Sequence, residues 1–269
     1  MHKPSRRKFL ALGGLAVGTY CLDSALPCQA APTWTDRQTY GPFQLHATYP
    51  LANYAPLFEE LSTLEMELQR TLAMPPAQQS VDLFLLDSQK QHRELLSQIY
   101  PRVPYRRALY VQRHGRGQVY AYRHPDLAID LRHECTHALL HCNLPMVPLW
   151  LDEGLAEYFE MPESSRPFDH PHLSKLRWNL RLGMVRSIES LEDITELTEM
   201  GGVEYRFAWA WVHFFLHGPV AAHRALVHYL AAIRRSSPPG QLSHRMHVEL
   251  PQLQAQMVQH FKHWRRHQG

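Results

Sequence analysis

Apolar and polar residues alternate over 43–49, and Leu57, Leu61, Leu64 and Leu68 then recur at helical spacing. The first pattern predicts a strand with one buried face, and the second an amphipathic helix over about 53–73 that Pro75-Pro76 closes. A compact apolar run over Val81–Leu86 predicts a buried strand, and a helix follows at Gln89–Ile99. Two short segments, 108–112 and 119–123, are joined through His114-Gly115-Arg116-Gly117 and predict a hairpin. Asp126 stands where an N-cap belongs, ahead of a helix that runs to about Cys142. Pro145 and Pro148 interrupt the chain before a second helix at 149–160.

From there the pattern is helical throughout, at 172–182, 205–217, Val220–Arg234 and 251–267. Strands alternate with helices first and only helices follow, which predicts an α+β fold. The expected organisation is an N-terminal lobe over 31–142, a helical C-terminal lobe over 143–269, and a flexible leader over residues 31–40. No internal repeat is visible.

Residues 1–30 read as a cleavable export signal and stand apart from this pattern. Arg6-Arg7 leads into an apolar run that contains Gly13, Gly14 and Gly18, and Cys28-Gln29-Ala30 supplies a small-residue cleavage site. Fourteen apolar residues are too few to span a bilayer. The pattern resembles twin-arginine signals, which implies the twin-arginine export machinery as a partner and a periplasmic or extracellular location. Tyr20 and Pro27 precede Cys21 and Cys28, so no lipid anchor is expected, nor any stable membrane anchor once the signal is cleaved.

The net charge of +3 belongs to that signal: without residues 1–30, 24 of 28 basic and 24 of 25 acidic residues remain. A balanced chain lacks the positive field that nucleic-acid binding requires, and Lys262, Arg265 and Arg266 are too few to supply it. Cys135 and Cys142 lie seven residues apart on one helix, roughly 10 Å between Cα atoms, beyond disulfide reach.

Chemistry concentrates at His133-Glu134-Cys135-Thr136-His137. Histidines four residues apart share a helix face with Cβ atoms about 5–6 Å apart, which suits two ligands of one zinc ion. Glu134 is placed to act as general base on an attacking water. Sixteen residues beyond His137, Trp150-Leu151-Asp152-Glu153-Gly154-Leu155-Ala156-Glu157-Tyr158 supplies a third ligand, Glu153, on the next helix. Two histidines and one carboxylate leave the fourth tetrahedral position open, the mark of a catalytic zinc site. Glu157, one turn on, is expected to accept the second N–H of His133 or His137, or to replace Glu153 as ligand. His141 lies too far along the axis to share the ion.

These two motifs resemble those of the gluzincin metallopeptidases, in which His-Glu-x-x-His pairs with a downstream glutamate in a Trp-Leu-x-Glu-Gly-x-Ala setting. The chain is most similar to the peptidase-MA-like group of exported proteins, from about Phe43 through the helix that begins at Tyr205. The resemblance implies a zincin-like fold, one Zn2+ ion, a peptide or protein substrate, and an oxyanion donor on a later helix, for which Tyr205 is the candidate. Tyr158 and His213 are alternatives. The spacer from His137 to Glu153 is shorter than in the alanyl aminopeptidases, and no Gly-x-Met-Glu-Asn sequence is present to hold a free amine. Leu140 and Asn143 exclude the metzincin pattern.

The strand over 119–123, just before the zinc helix, is expected to offer an edge to an extended peptide. Trp209, Trp211, Phe214 and Phe215 read as core, and the remaining histidines, among them His223, His247 and His260, as solvated helix residues. A second functional reading is an exported, non-catalytic zinc domain that binds peptides or cell-wall components.

Overall fold

The computed structural model describes residues 32–266, so the export signal expected at 1–30 lies outside the described residues. Five strands, Asp36–Tyr40 (β1), Phe43–Ala47 (β2), Val81–Leu86 (β3), Ala108–Arg113 (β4) and Arg116–Tyr122 (β5), form one mixed sheet in the order β1-β2-β3-β5-β4. Parallel β2, β3 and β5 make its centre, with β1 and β4 antiparallel at the edges. The molecule is α+β.

Two sequence expectations fail here. β1 occupies much of the supposed leader and pairs Asp36 with Ala47 and Tyr40 with Phe43. Its residues carry no apolar alternation, because the strand is an edge held by its ladder and by the Asp36 carboxylate, which accepts the Leu51 N–H at 2.8 Å. The second failure concerns the free edge. β5 is paired on both sides, and β4 forms the border of the sheet instead. The hairpin itself turns at His114-Gly115 with φ of 50° and 80°, the left-handed pair that a two-residue connection needs to match strand twist.

Helix α1 (Ala55–Leu72) buries Leu61, Leu64, Leu68 and Leu72, and α2 (Gln89–Ile99) covers the outer side of the sheet through Leu96. Helix α3 (Leu127–Asn143) packs against β4 and β5. Asp126 is its N-cap residue by position, but its carboxylate makes no capping bond and instead accepts from Arg107 at 2.8 Å. The same guanidinium grips Asp130 in the first turn at 2.6 and 2.7 Å, which pins the start of β4 to the start of α3.

Helix α4 (Leu149–Phe159) lies between α3 and α7 (Gly202–His217). A Cβ at Gly154 would stand 2.7 Å from the Ala208 carbonyl oxygen and 3.0 Å from Val212 Cγ2, so only glycine permits this approach. The remaining helices are α5 (His172–Arg181), α6 (Ile188–Glu192), α8 (Val220–Arg234), α9 (Leu242–Glu249) and α10 (Leu253–His263). The short α6 and α9 went unforeseen. One continuous hydrophobic core runs from Phe43 in the sheet to Phe261 in α10, and Trp209, Trp211, Phe214 and Phe215 lie inside it. Among the described residues no helix is long and apolar enough to cross a membrane.

His213 is wholly buried under α10, and His260, read as solvated, is half-buried against it. Nδ1 of His213 meets His260 Nε2 at 3.1 Å, and its Nε2 lies 3.0 Å from the Pro167 carbonyl oxygen. His217 Nε2 lies 2.6 Å from the Tyr158 hydroxyl. Both nitrogens of His213 and the Tyr158 hydroxyl are therefore committed to structure, and neither is an oxyanion donor. Burial keeps all three imidazoles neutral: His213 falls well below its ordinary pKa, and His217 and His260 fall to about 4.

Two outcomes follow from this packing. The folded pKa values of His213, His217 and His260 lie below the unfolded value of about 6.5, so their stabilisation is complete above that pH and is lost as pH falls towards 4. Urea midpoints should drop across that window, and the drop should be shallower in His260→Gln, which has nothing to titrate there. Gly154→Ala should cost about 1–3 kcal/mol by forcing α7 off α4, read as a lowered urea midpoint with an unchanged slope.

Candidate metal centre

Helix α3 presents His133 and His137 on one face, and α4 crosses so that Glu153 faces both. His133 Nε2 and His137 Nε2 lie 3.3 Å apart, and Glu153 Oε2 stands 3.6 and 3.8 Å from them. A point equidistant from these three atoms lies about 2.1 Å from each, the length of a zinc–nitrogen or zinc–oxygen bond. The spacing suits a small divalent cation, and His133, His137 and Glu153 form a group able to hold a metal ion.

Each histidine presents Nε2 to this point because a carboxylate holds its Nδ1. His133 Nδ1 lies 3.0 Å from Glu160 Oε2, and His137 Nδ1 lies 3.0 Å from Asp152 Oδ1. Such partners fix the tautomer and ring orientation and raise ligand basicity. Asp152 also reaches His141 Nε2 at 3.0 Å, so His141 is engaged away from the ion's position.

Glu157 does not take the orienting role expected of it. Its Oε2 stands 3.0 Å from His172 Nε2 and 3.8 Å from His170 Nε2, neither of them a ligand. Glu160, seven residues beyond Glu153, returns to the same helix face after two turns, whereas Glu157 after one turn is rotated towards α5. The helical period makes Glu160 legible two turns beyond Glu153, and Asp152 adjoins Glu153 in sequence. Arg132 then fixes the end of α4, because its fork grips Glu60 at 3.1 and 3.2 Å while Nη1 donates to the Glu160 carbonyl at 3.1 Å.

The site concentrates negative charge around two imidazoles. Burial alone would lower the His133 pKa, but bonds to Glu153 and Glu160 and the charge of Glu134 outweigh it, and the value rises well above the ordinary range. Burial opposes charging of His137 as well, and Asp152 with Glu153 carries its pKa to about 9. The paired carboxyls respond oppositely: desolvation raises them, yet the imidazoles pull Asp152, Glu153 and Glu160 below the usual carboxylate values. Raised pKa values favour protonated imidazoles, and a cation that uses the same nitrogens must displace those protons.

Glu134 lies on the sheet side. Its Oε2 accepts the Tyr110 N–H of edge strand β4 at 2.7 Å. The Tyr110 ring stacks over His137 and His141, with ring centroids 6.3 and 5.8 Å away, so the border strand covers α3 with its side chain and holds Glu134 with its backbone. Tyr205 approaches from α7, one turn before Ala208, on the face that Gly154 admits. Burial and the neighbouring carboxylates of Glu153, Glu157 and Glu134 push its hydroxyl up to about 12, which keeps it a donor at neutral pH. Sequence-predicted His133, His137 and Glu153 are thus brought together, with Glu134 and Tyr205 near enough for their charges to be felt, and Glu157 joins His133 and Glu160 in a second group whose ligand atoms lie within 4.8 Å of one another.

Neither models of known protein families nor curated protein sequences match this chain.

Metal affinity should rise with pH up to about 9, because His133 and His137 carry protons below their raised pKa values and the ion must displace them. Competition titration with a chromogenic chelator across this range measures it. In the same assay Glu160→Gln and Asp152→Asn should each weaken binding about 10–100-fold, and Glu157→Gln should weaken it far less.

Proposed function

We propose that this chain is a zinc-dependent hydrolase of the gluzincin type that cleaves peptide bonds. His133, His137 and Glu153 hold one zinc ion, Glu134 serves as general base, and Tyr205 donates to the developing oxyanion. The observation that carries this reading is the convergence of two Nε2 atoms and one carboxylate oxygen at bonding distance from a single point, with the carboxylate of Glu134 and the phenol of Tyr205 beside it. A closed structural site would instead spend a fourth protein ligand.

A zinc ion bound there supplies Lewis acidity, which polarises a carbonyl and acidifies a water molecule. The chain's own residues do the rest. Glu134, held by Tyr110 through one oxygen, keeps the other free to take a proton from the attacking water and deliver it to the leaving amine. Tyr205, protonated throughout the neutral range, donates to the oxygen that gains charge. Asp152 and Glu160 keep the imidazoles aimed while charge redistributes. β4 is the unpaired border of the sheet directly above this helix, so an extended peptide would align along β4 by main-chain hydrogen bonds.

The zincin-like identity of the fold, export through the twin-arginine machinery and a periplasmic or extracellular location belong to this proposal. The motifs within 133–137 and 150–158 and the pattern of residues 1–30 support them.

The decisive experiment uses the zinc-loaded chain on a mixed peptide library. Glu134→Gln should lower kcat about 10²–10⁴-fold with zinc retained, and Tyr205→Phe about 10²-fold with KM little changed. Hydrolysis unaltered by both substitutions refutes the assignment. Zinc bound stoichiometrically with no hydrolysis of any peptide by the unsubstituted chain favours the exported, non-catalytic binding domain.

A further inference from the structure

Helix α5 buries one face through Leu173, Leu176 and Leu180 and turns the other outward. The outward stripe reads Ser174, Lys175, Trp178, Arg181 and Leu182 at helical spacing, and Met184 follows in the next loop. Trp178, Leu182 and Met184 are 62%, 65% and 48% exposed. The other large exposed apolar side chains, Met66, Val103, Val203, Val220 and Val248, come from separate parts of the chain. Among the described residues, here alone three fall within seven residues.

Charge on this face is one-sided. From His170 to Ile188 the chain contains four basic residues and no acidic one. Lys175 and Arg181 have no acidic partner among the described residues. Arg177 spends a donor on the Trp264 carbonyl at 2.6 Å, and Arg186 meets Glu204 at 3.4 Å. Beside the stripe lies an open cavity of about 370 Å³ lined by Phe168, Asp169, Leu173, Arg177, Arg265 and Arg266, in which Asp169 neutralises Arg266. In a chain whose residues beyond 30 balance in charge, basic residues are thus gathered around one exposed apolar cluster.

This combination matches the interface of a lipid bilayer. Tryptophan settles at headgroup depth, leucine and methionine enter the acyl boundary, and lysine and arginine meet phosphates. Each basic side chain at an anionic surface strengthens binding about fivefold. A protein partner with a matching acidic rim would demand complementary shape, whereas a bilayer asks only for the side-chain composition displayed here.

We propose that the outward face of α5 and the loop through Met184 is a docking surface for membranes rich in anionic phospholipid. Trp178, Leu182 and Met184 insert, while Lys175, Arg181 and the arginines of the adjoining cavity bind the phosphates. α5 begins at His172, whose ring reaches Glu157 at the rim of the metal centre, about 9 Å along the axis from Trp178. Docking would therefore hold the cleft close to the bilayer, where membrane-associated polypeptides are the nearest substrates. The docking claim stands on surface composition and is independent of the hydrolase proposal.

Flotation with phosphatidylcholine vesicles containing phosphatidylglycerol tests it on the chain lacking residues 1–30. Binding should be strong at low salt, weaken as salt rises, and be absent with pure phosphatidylcholine. Trp178 fluorescence should shift to the blue on binding. Trp178→Ala should weaken binding about tenfold, and Lys175→Glu with Arg181→Glu more than that, with circular dichroism and hydrolysis of a soluble peptide unchanged. No binding to anionic vesicles overturns the proposal, as does binding that the substitutions leave intact. Inorganic phosphate that binds the cavity while vesicles do not reduces the face to an anion pocket and overturns it too. A dimer that the Trp178→Ala substitution dissolves would reassign the surface to self-association.

Discussion

The space that a Cβ would fill at position 154 is taken by the carbonyl of Ala208, and this close approach of α7 to α4 governs the rest of the molecule. It sets how far α4 stands from α3, and hence whether Glu153 can face His133 and His137 at 3.6 and 3.8 Å. It also sets the depth at which α7 carries Tyr205 towards the same carboxylate. Three consecutive helices in space, linked through one missing side chain, thus form the frame of the candidate site. The aromatic wall of α7, with Trp209, Trp211 and Phe215 wholly buried, supplies the apolar burial that holds the frame closed.

On the other side of α3, the sheet contributes both order and restraint. Arg107 ties the beginning of β4 to Asp126 and Asp130, and Tyr110 covers His137 and His141 while its N–H holds Glu134. The ligands are oriented from beneath by Asp152 and Glu160, and Arg132 links the last of these to Glu60 on α1. Buried charges in such number are tolerable only when each is paired, and here each imidazole answers a carboxylate. That arrangement raises the pKa of both imidazoles, because the charge of the surrounding carboxylates outweighs the cost of burial.

Much of this was legible in the sequence where a local period or motif announced it. The strands β2 to β5, the hairpin at His114-Gly115 and the helices carrying His133, His137, Glu153 and Tyr205 were all read from spacing. Edge character was not: β1 has no apolar face to betray it, and which strand borders the sheet depends on pairing order, a long-range property. The orienting carboxylates were missed for a geometric reason, since two turns bring Glu160 back to the face of Glu153 while one turn sends Glu157 to His172. His213 and His217 share a face of α7, but His260 is 43 residues beyond His217 and joins them only because α10 folds back over α7.

Cys135 sits between the two ligand histidines in sequence yet is wholly buried towards the opposite side of α3, and burial raises its thiol pKa further. Cys142 is the other described cysteine, and it too is free, its thiol pKa likewise raised by burial. The architecture of residues 32–266 therefore contains no covalent cross-link to be made or broken. Neither thiolate is available to attack an oxidant or compete for the ion at neutral pH. Folding of these residues is accordingly complete without any disulfide-forming step, so no thiol oxidation stands between the unfolded chain and the packed core.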